Sequence, residues 1–156
     1  MQISRDDLTD PSVIAFLTDH VAQLRALSPP ESTHALDLEG LRAPDVSFWA
    51  ARQDGEVVGC AALKALDPAH AELKSMRTEA HRTRQGIASR LLAHVLGEAR
   101  RAGFTRVSLE TGTEAFFEPA RALYAGQGFE PCAPFGGYRP DPLSAFMTRP
   151  LLDLPG

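Results

Sequence analysis

The chain has 156 residues, 44% of them hydrophobic, and a formal net charge of −4. That length and apolar content predict one domain over residues 1–156, able to bury a core without staples. No apolar run approaches the ~20 residues of a membrane-spanning helix, the five histidines lack metal-ligand spacing, and the two cysteines, Cys60 and Cys132, suggest no disulfide framework.

In chain order, Gln2–Ser4 reads as a short first strand. Val13, Ile14, Leu17, Val21, Leu24 and Leu27 recur at helical spacing, which predicts an amphipathic helix over Pro11–Leu27. Ser28-Pro29-Pro30 ends it, and a loop with a short helix is expected over residues 31–44. Strands at Ser47–Gln53 and Val57–Leu66 flank Asp54-Gly55, a pair that favours a tight hairpin turn. A strand at Glu72–Thr78 leads through a basic turn into a helix at 86–102. There Ile87, Leu91 and Val95 form one stripe, with Ala88, Leu92 and Leu96 beside it. Gly103 stands where a C-terminal cap is expected. A strand at 106–111, a helix at 119–126 and a strand around Ala145–Arg149 follow. Strands with helices between them predict an α/β fold with a mixed sheet.

The turn before the second long helix carries the chemistry. A helix N-terminus presents unpaired N–H groups and partial positive charge, which suits a phosphate, and Arg82 and Arg84 add to that field. Residues 1–73 hold twelve acidic side chains against five basic ones, whereas residues 74–106 hold eight basic against Glu79 and Glu98. The basic block lacks interleaved aromatics and the chain is acidic overall, so an anionic nucleotide cofactor is favoured over nucleic acid. Neither a nucleoside-triphosphate loop nor a dinucleotide glycine fingerprint is present. With no secretory leader at Met1–Asp10 and few cysteines, a cytoplasmic location is expected.

The turn resembles the coenzyme A pyrophosphate loop of the GCN5-related N-acetyltransferase (GNAT) superfamily, Gln/Arg-x-x-Gly-x-Gly/Ala. Thr83 takes the Gln/Arg position, and Gly86 and Ala88 match the last two anchors. Downstream, Pro119–Phe129 is similar to the family's Ala-x-x-Leu-Tyr-x-x-x-Gly-Phe segment at Ala120, Leu123, Tyr124, Gly128 and Phe129. The segments Leu73–Thr78, Ser108–Gly112, Tyr138–Pro142 and Pro29–Asp37 look closest to bacterial members of the YsnE type. The resemblance covers residues 46–150 well. It implies a GNAT-type mixed, largely antiparallel central sheet flanked by helices, an acyltransferase, acetyl-CoA as cosubstrate and no metal.

The resemblance also implies roles for single residues. Thr83, Arg84, Gln85, Gly86, Ile87, Ala88 and Ser89 would bind the cofactor, the backbone amides of residues 84–88 receiving the pyrophosphate. The Met76 amide would polarise the thioester carbonyl, with Arg77 and Thr78 beside the pantetheine arm. Phe117 stands where an asparagine often contacts that arm. Tyr124 would protonate the departing thiolate, and Glu72 would be the general base, needed because an amine of pKa ~10 is protonated at neutral pH. By strand alternation Glu72, Lys74, Met76 and Thr78 share a face. Glu72 reads either as that base or as a solvated strand residue paired with Lys74. Lys74 and Arg139 are candidates to hold a carboxylate on the acceptor. Glu31 and His34 fall where the family places acceptor loops, or belong to a capped loop.

The expected function is transfer of acetyl from acetyl-CoA to a primary amine of a small molecule such as an amino acid or analogue. A non-catalytic CoA-binding module, suggested by Phe117 and Thr83, and a protein-amine acetyltransferase are the alternatives. Neither the acceptor nor the oligomeric state, often dimeric in the family, is legible in the sequence.

Overall fold

A computed structural model describes residues 1–27, 38–78 and 86–151, without the side chains of residues 20–27. The described elements are β1 (Gln2–Arg5), α1 (Pro11–Leu27), α2 (Leu38–Leu41), β2 (Val46–Gln53), β3 (Glu56–Ala65), β4 (His70–Thr78), α3 (Ile87–Arg101), β5 (Arg106–Gly112), α4 (Glu118–Gly126), β6 (Glu130–Pro131) and β7 (Ser144–Pro150). Each expected strand and helix is present, with ends moved by one or two residues. A 3-10 turn at Ala115–Phe117 and the two-residue β6 are additions. Both are too short to show a hydrophobic period.

The chain resolves into two units, residues 1–62 with 75–92 and residues 63–74 with 93–156. In the first, β1 pairs antiparallel with β2, and the strand order runs β1-β2-β3-β4. Asp54 and Gly55 both have positive φ, 51° and 82°, as a type I′ hairpin turn requires. Asp10 caps α1, its Oδ1 accepting from the Ser12 N–H at 2.8 Å, with Pro11 in the first helical position. The helix buries Val13 and Leu17 against Leu8, Leu41, Phe48, Ala50, Cys60 and Ala62. Burying a side chain of this kind stabilises by about 1.5–3 kcal/mol.

In the second unit the order is β4-β5-β7-β6. β4 and β5 run parallel, pairing His70–Leu73 with Arg106–Leu109, and β7 lies antiparallel to both β5 and β6. The sheet is therefore mixed and largely antiparallel, as expected. Its apolar face carries the buried residues Ala71, Leu73, Val107, Leu109 and Met147. In-register partners share a face, so His70, Glu72 and Ser108 lie on the other.

α3 and α4 end by the same device. The N–H of Phe104 bonds the Ala99 carbonyl and that of Gly103 bonds Arg100; Phe129 bonds Tyr124 and Gly128 bonds Ala125. These are Schellman caps, with Gly103 and Gly128 at φ 96° and 94°. Gly103 thus fills the expected capping role. At Gly128 the Arg149 Nε also donates to the Gln127 carbonyl at 2.7 Å, and a Cβ would come within 2.9 Å of that nitrogen.

Gly128→Ala should therefore destabilise the protein by about 2 kcal/mol in urea unfolding, since a left-handed L-residue is strained by roughly 1–2 kcal/mol. Gly126→Ala is the control: its Cβ meets nothing within 4 Å, and inside a helix it should stabilise by about 0.5–1 kcal/mol. Equal stability of the two variants would contradict the capping argument.

A second expectation concerns alkaline pH. Burial pushes the Cys60 thiol up from 9.0 to about 12, the Arg77 charge acting the other way. A neutral thiol favoured by folding contributes stability that is complete below pH 9.0 and lost as pH rises towards 12. The melting temperature should hold up to about pH 9 and then fall, and Cys60→Ala should make that fall shallower.

Candidate active site

The first unit carries Met76, Arg77, Thr78, Gly86, Ile87, Ala88 and Ser89. Glu31, His34, Thr83, Arg84 and Gln85 lie outside the described residues. Gly86 has φ 77°, and among the described residues nothing lies within 4 Å of the position its Cβ would take. Its carbonyl accepts the first helical bond, from Arg90 at 3.0 Å, so the amides of Ile87, Ala88 and Ser89 precede the ladder of α3. An exposed, side-chain-free backbone at a helix start fits a pyrophosphate.

Strand alternation does not hold along the whole of β4. Ser75 has φ 54°, a left-handed residue inside a strand, which resets the pleat there. Glu72 and Lys74 keep their common face, but the inference that Met76 and Thr78 continue it is overturned. The same residue orients the next amide. The Cys60 Sγ–H donates to the Ser75 carbonyl at 3.2 Å. No cis bond is present among the described residues, and in a trans peptide C=O and N–H point oppositely, so the Met76 N–H is directed away from Cys60. Arg77 is half-buried, and burial shifts its guanidinium pKa downward, with Cys60 acting the other way. Gly59, on β3, would bring a Cβ within 3.1 Å of the Arg77 carbonyl, so a glycine is what lets β3 and β4 approach here.

The second unit brings Glu72, Lys74, Phe117, Tyr124 and Arg139 into one body. Glu72 is only 4% exposed, and the Tyr138 hydroxyl donates to its Oε2 at 2.5 Å. No ion pair joins it to Lys74 among the described residues. Glu72 is therefore neither solvated nor paired with Lys74: it is a buried carboxylate held by a phenol. Burial first, then the Glu72 hydrogen bond and the charges of Glu72 and Glu110, push the Tyr138 hydroxyl well above its ordinary range. Sequence reasoning missed Tyr138. Its one signal was the Tyr138–Pro142 segment, which carried the resemblance but received no role. Beside Glu72 on the same face, Ser108 is buried and bonds His70 Nε2 at 2.7 Å and Thr148 Oγ1 at 2.8 Å.

Tyr124 lies at the C-terminal end of α4, its ring buried with a tilted edge contact to Phe129 at 5.8 Å. Burial pushes its hydroxyl well above the ordinary tyrosine range, so it stays protonated. Phe117 leans on the end of β5, and a Cβ on Gly112 would overlap its ring. Phe116, 45% exposed, packs edge-on against it at 5.0 Å. Arg139 is exposed, one residue beyond Tyr138.

Comparison with known proteins identifies the family. Residues 14–129 match the acetyltransferase (GNAT) family. The chain is 50% identical to the uncharacterized N-acetyltransferase YsnE of Bacillus subtilis, covering 97% of this chain and 100% of that one. It is 41% identical to an IAA acetyltransferase of Azospirillum brasilense over 96% and 97% of the two chains. A Klebsiella pneumoniae crystal structure assigned to the acyl-CoA N-acyltransferases superposes with a TM-score of 0.80 at 30% identity, covering 97% of each chain. The chain belongs to the GNAT family and is an acyl-CoA-dependent N-acetyltransferase.

Proposed function

We propose that residues 1–156 act as one domain that transfers acetyl from acetyl-CoA to the primary amine of a small molecule by direct attack. The observation that carries this reading is the buried Glu72 carboxylate held on the same unit as Tyr124. The acceptor nitrogen forms its bond to the acetyl carbon as its proton passes to Glu72, directly or through a water. The C–S bond breaks, and the thiolate takes the Tyr124 proton. The Met76 N–H, aimed away from Cys60, is the donor suited to the carbonyl oxygen as negative charge develops on it. The amides of Ile87, Ala88 and Ser89, with those of Arg84, Gln85 and Gly86 and the Thr83 side chain, hold the pyrophosphate. Arg77, Thr78 and Phe117 flank the pantetheine arm.

Lys74 and Arg139 favour an acceptor that carries a carboxylate, such as an amino acid or its analogue, and the family resemblance makes Glu31 and His34 acceptor contacts. The match to an IAA acetyltransferase along nearly the whole of both chains supports a small molecule over a protein amine. The domain then works in the cytoplasm without a metal. An amine panel of glycine, L-lysine, ethanolamine and spermidine, read as CoA thiol release, tests the class. Acetyl-CoA binding with no release beyond hydrolysis would favour a CoA sensor instead.

Two substitutions test the machinery. Tyr124→Phe keeps the ring and its Phe129 contact and should lower kcat at least ten-fold, since general acid catalysis is worth about 10²–10⁴-fold. Acetyl-CoA KM and melting temperature should stay near wild type; an unchanged kcat would reduce the hydroxyl to packing. Gly86→Ala places a methyl in the open space above the helix start and should raise acetyl-CoA KM about ten-fold through strain and blocked approach. An unchanged KM would remove that turn from the site.

A further inference from the structure

Tyr138 reaches Glu72 from the segment between β6 and β7, and everything around the phenol restrains it. The Tyr138 N–H bonds the Phe135 carbonyl at 3.1 Å, closing a turn through Gly136 at φ 56°. At the far end of the segment, Asp141 Oδ1 accepts from Leu143 N–H at 2.8 Å and the Asp141 carbonyl accepts from Ser144 N–H at 3.0 Å. The Tyr138 ring sits edge-on to Phe135 at 5.2 Å and tilted on Phe146 at 5.5 Å. Phe135 also meets His70 at 5.9 Å, two residues from Glu72 on β4. Such a ring has little rotamer freedom, so its hydroxyl is a fixed point.

A glutamate side chain has three torsions, and a base needs one of its oxygens aimed at the proton it takes. Among the described residues no other hydrogen bond holds the Glu72 carboxylate. We propose that Tyr138 is a positioning residue for the reaction: by occupying Oε2 it fixes the Glu72 side chain and reserves Oε1 for the acceptor's proton. This rests on the reading of Glu72 as the base. Tyr138 neither gives up nor takes a proton in the cycle, because burial and the two neighbouring carboxylates keep its hydroxyl protonated. Its contribution is to hold the base still, so losing it affects turnover and not acetyl-CoA binding.

The chain has two tyrosines, which makes the bond readable by carbon-13 NMR of ring-labelled tyrosine in the full-length protein. Glu72→Gln should move the Tyr138 Cζ resonance and leave that of Tyr124 in place. An unmoved Tyr138 resonance overturns the positioning bond, whatever the kinetics. In CoA release from acetyl-CoA with L-lysine, ethanolamine and spermidine, Tyr138→Phe should lower kcat roughly ten-fold with acetyl-CoA KM within about two-fold. Added to Glu72→Gln it should cost less than about two-fold more, because two residues acting through one proton acceptor are not additive. A purely structural bond predicts a lower melting temperature with wild-type kcat, and full multiplication of the two losses; either overturns the proposal. Wild-type kcat in Glu72→Gln overturns instead the assignment of Glu72 as base, while the resonance still reports on the bond.

Discussion

A carboxylate buried in the middle of a strand is the constraint around which the second unit is organised. Removing an ionised group from water costs several kcal/mol unless a partner is supplied. β4 places Glu72 beside buried Ser108 on the polar face of a parallel pair, where strand pairing satisfies only the backbone. The partner has to come from above the sheet, and the Phe135–Pro142 segment brings it. Its aromatic contacts to His70 and Phe146 make the cover apolar, so the Tyr138–Glu72 bond forms where water is scarce and where it is strong. Charge burial in one strand thereby dictates the course of a loop more than sixty residues later.

The Ala-x-x-Leu-Tyr-x-x-x-Gly-Phe segment has a comparable logic. Gly128 supplies the left-handed residue that closes α4, and the peptide after it bonds back to the Tyr124 carbonyl. Phe129, buried in turn, packs its ring on that of Tyr124. Arg149 of β7 ties the Gln127 carbonyl to the sheet. Glycine and phenylalanine in this segment therefore fix one tyrosine at a helix end. Leu123 and Ala120 continue the helix that carries it.

Ser75 does for the first unit what Tyr138 does for the second. A β-strand repeats every two residues and cannot by itself turn one amide out of register. A single left-handed residue does so, and the buried Cys60 thiol, accepted by the Ser75 carbonyl, holds the flipped peptide in place. Cys60 belongs to the core under α1, so packing of that helix and the direction of the Met76 N–H are linked through one side chain.

The sequence by itself determined the elements and their order, because periodicity, capping residues and turn pairs are local. The α1 stripe at Val13 and Leu17, the Asp54-Gly55 turn and the Gly103 cap are all short-range effects, and each is where the pattern put it. It also determined the family, since the loop at Gly86 and the segment ending at Phe129 are contiguous strings. Tertiary structure alone decided the state of Glu72. Neither its burial nor its bond to a residue 66 positions away leaves a trace at short range. The left-handed Ser75 was equally invisible, because serine has no intrinsic preference for that conformation and adopts it here where the surrounding packing holds it. Local patterns specify where strands and helices run; which side chains lose their water depends on what folds back over them.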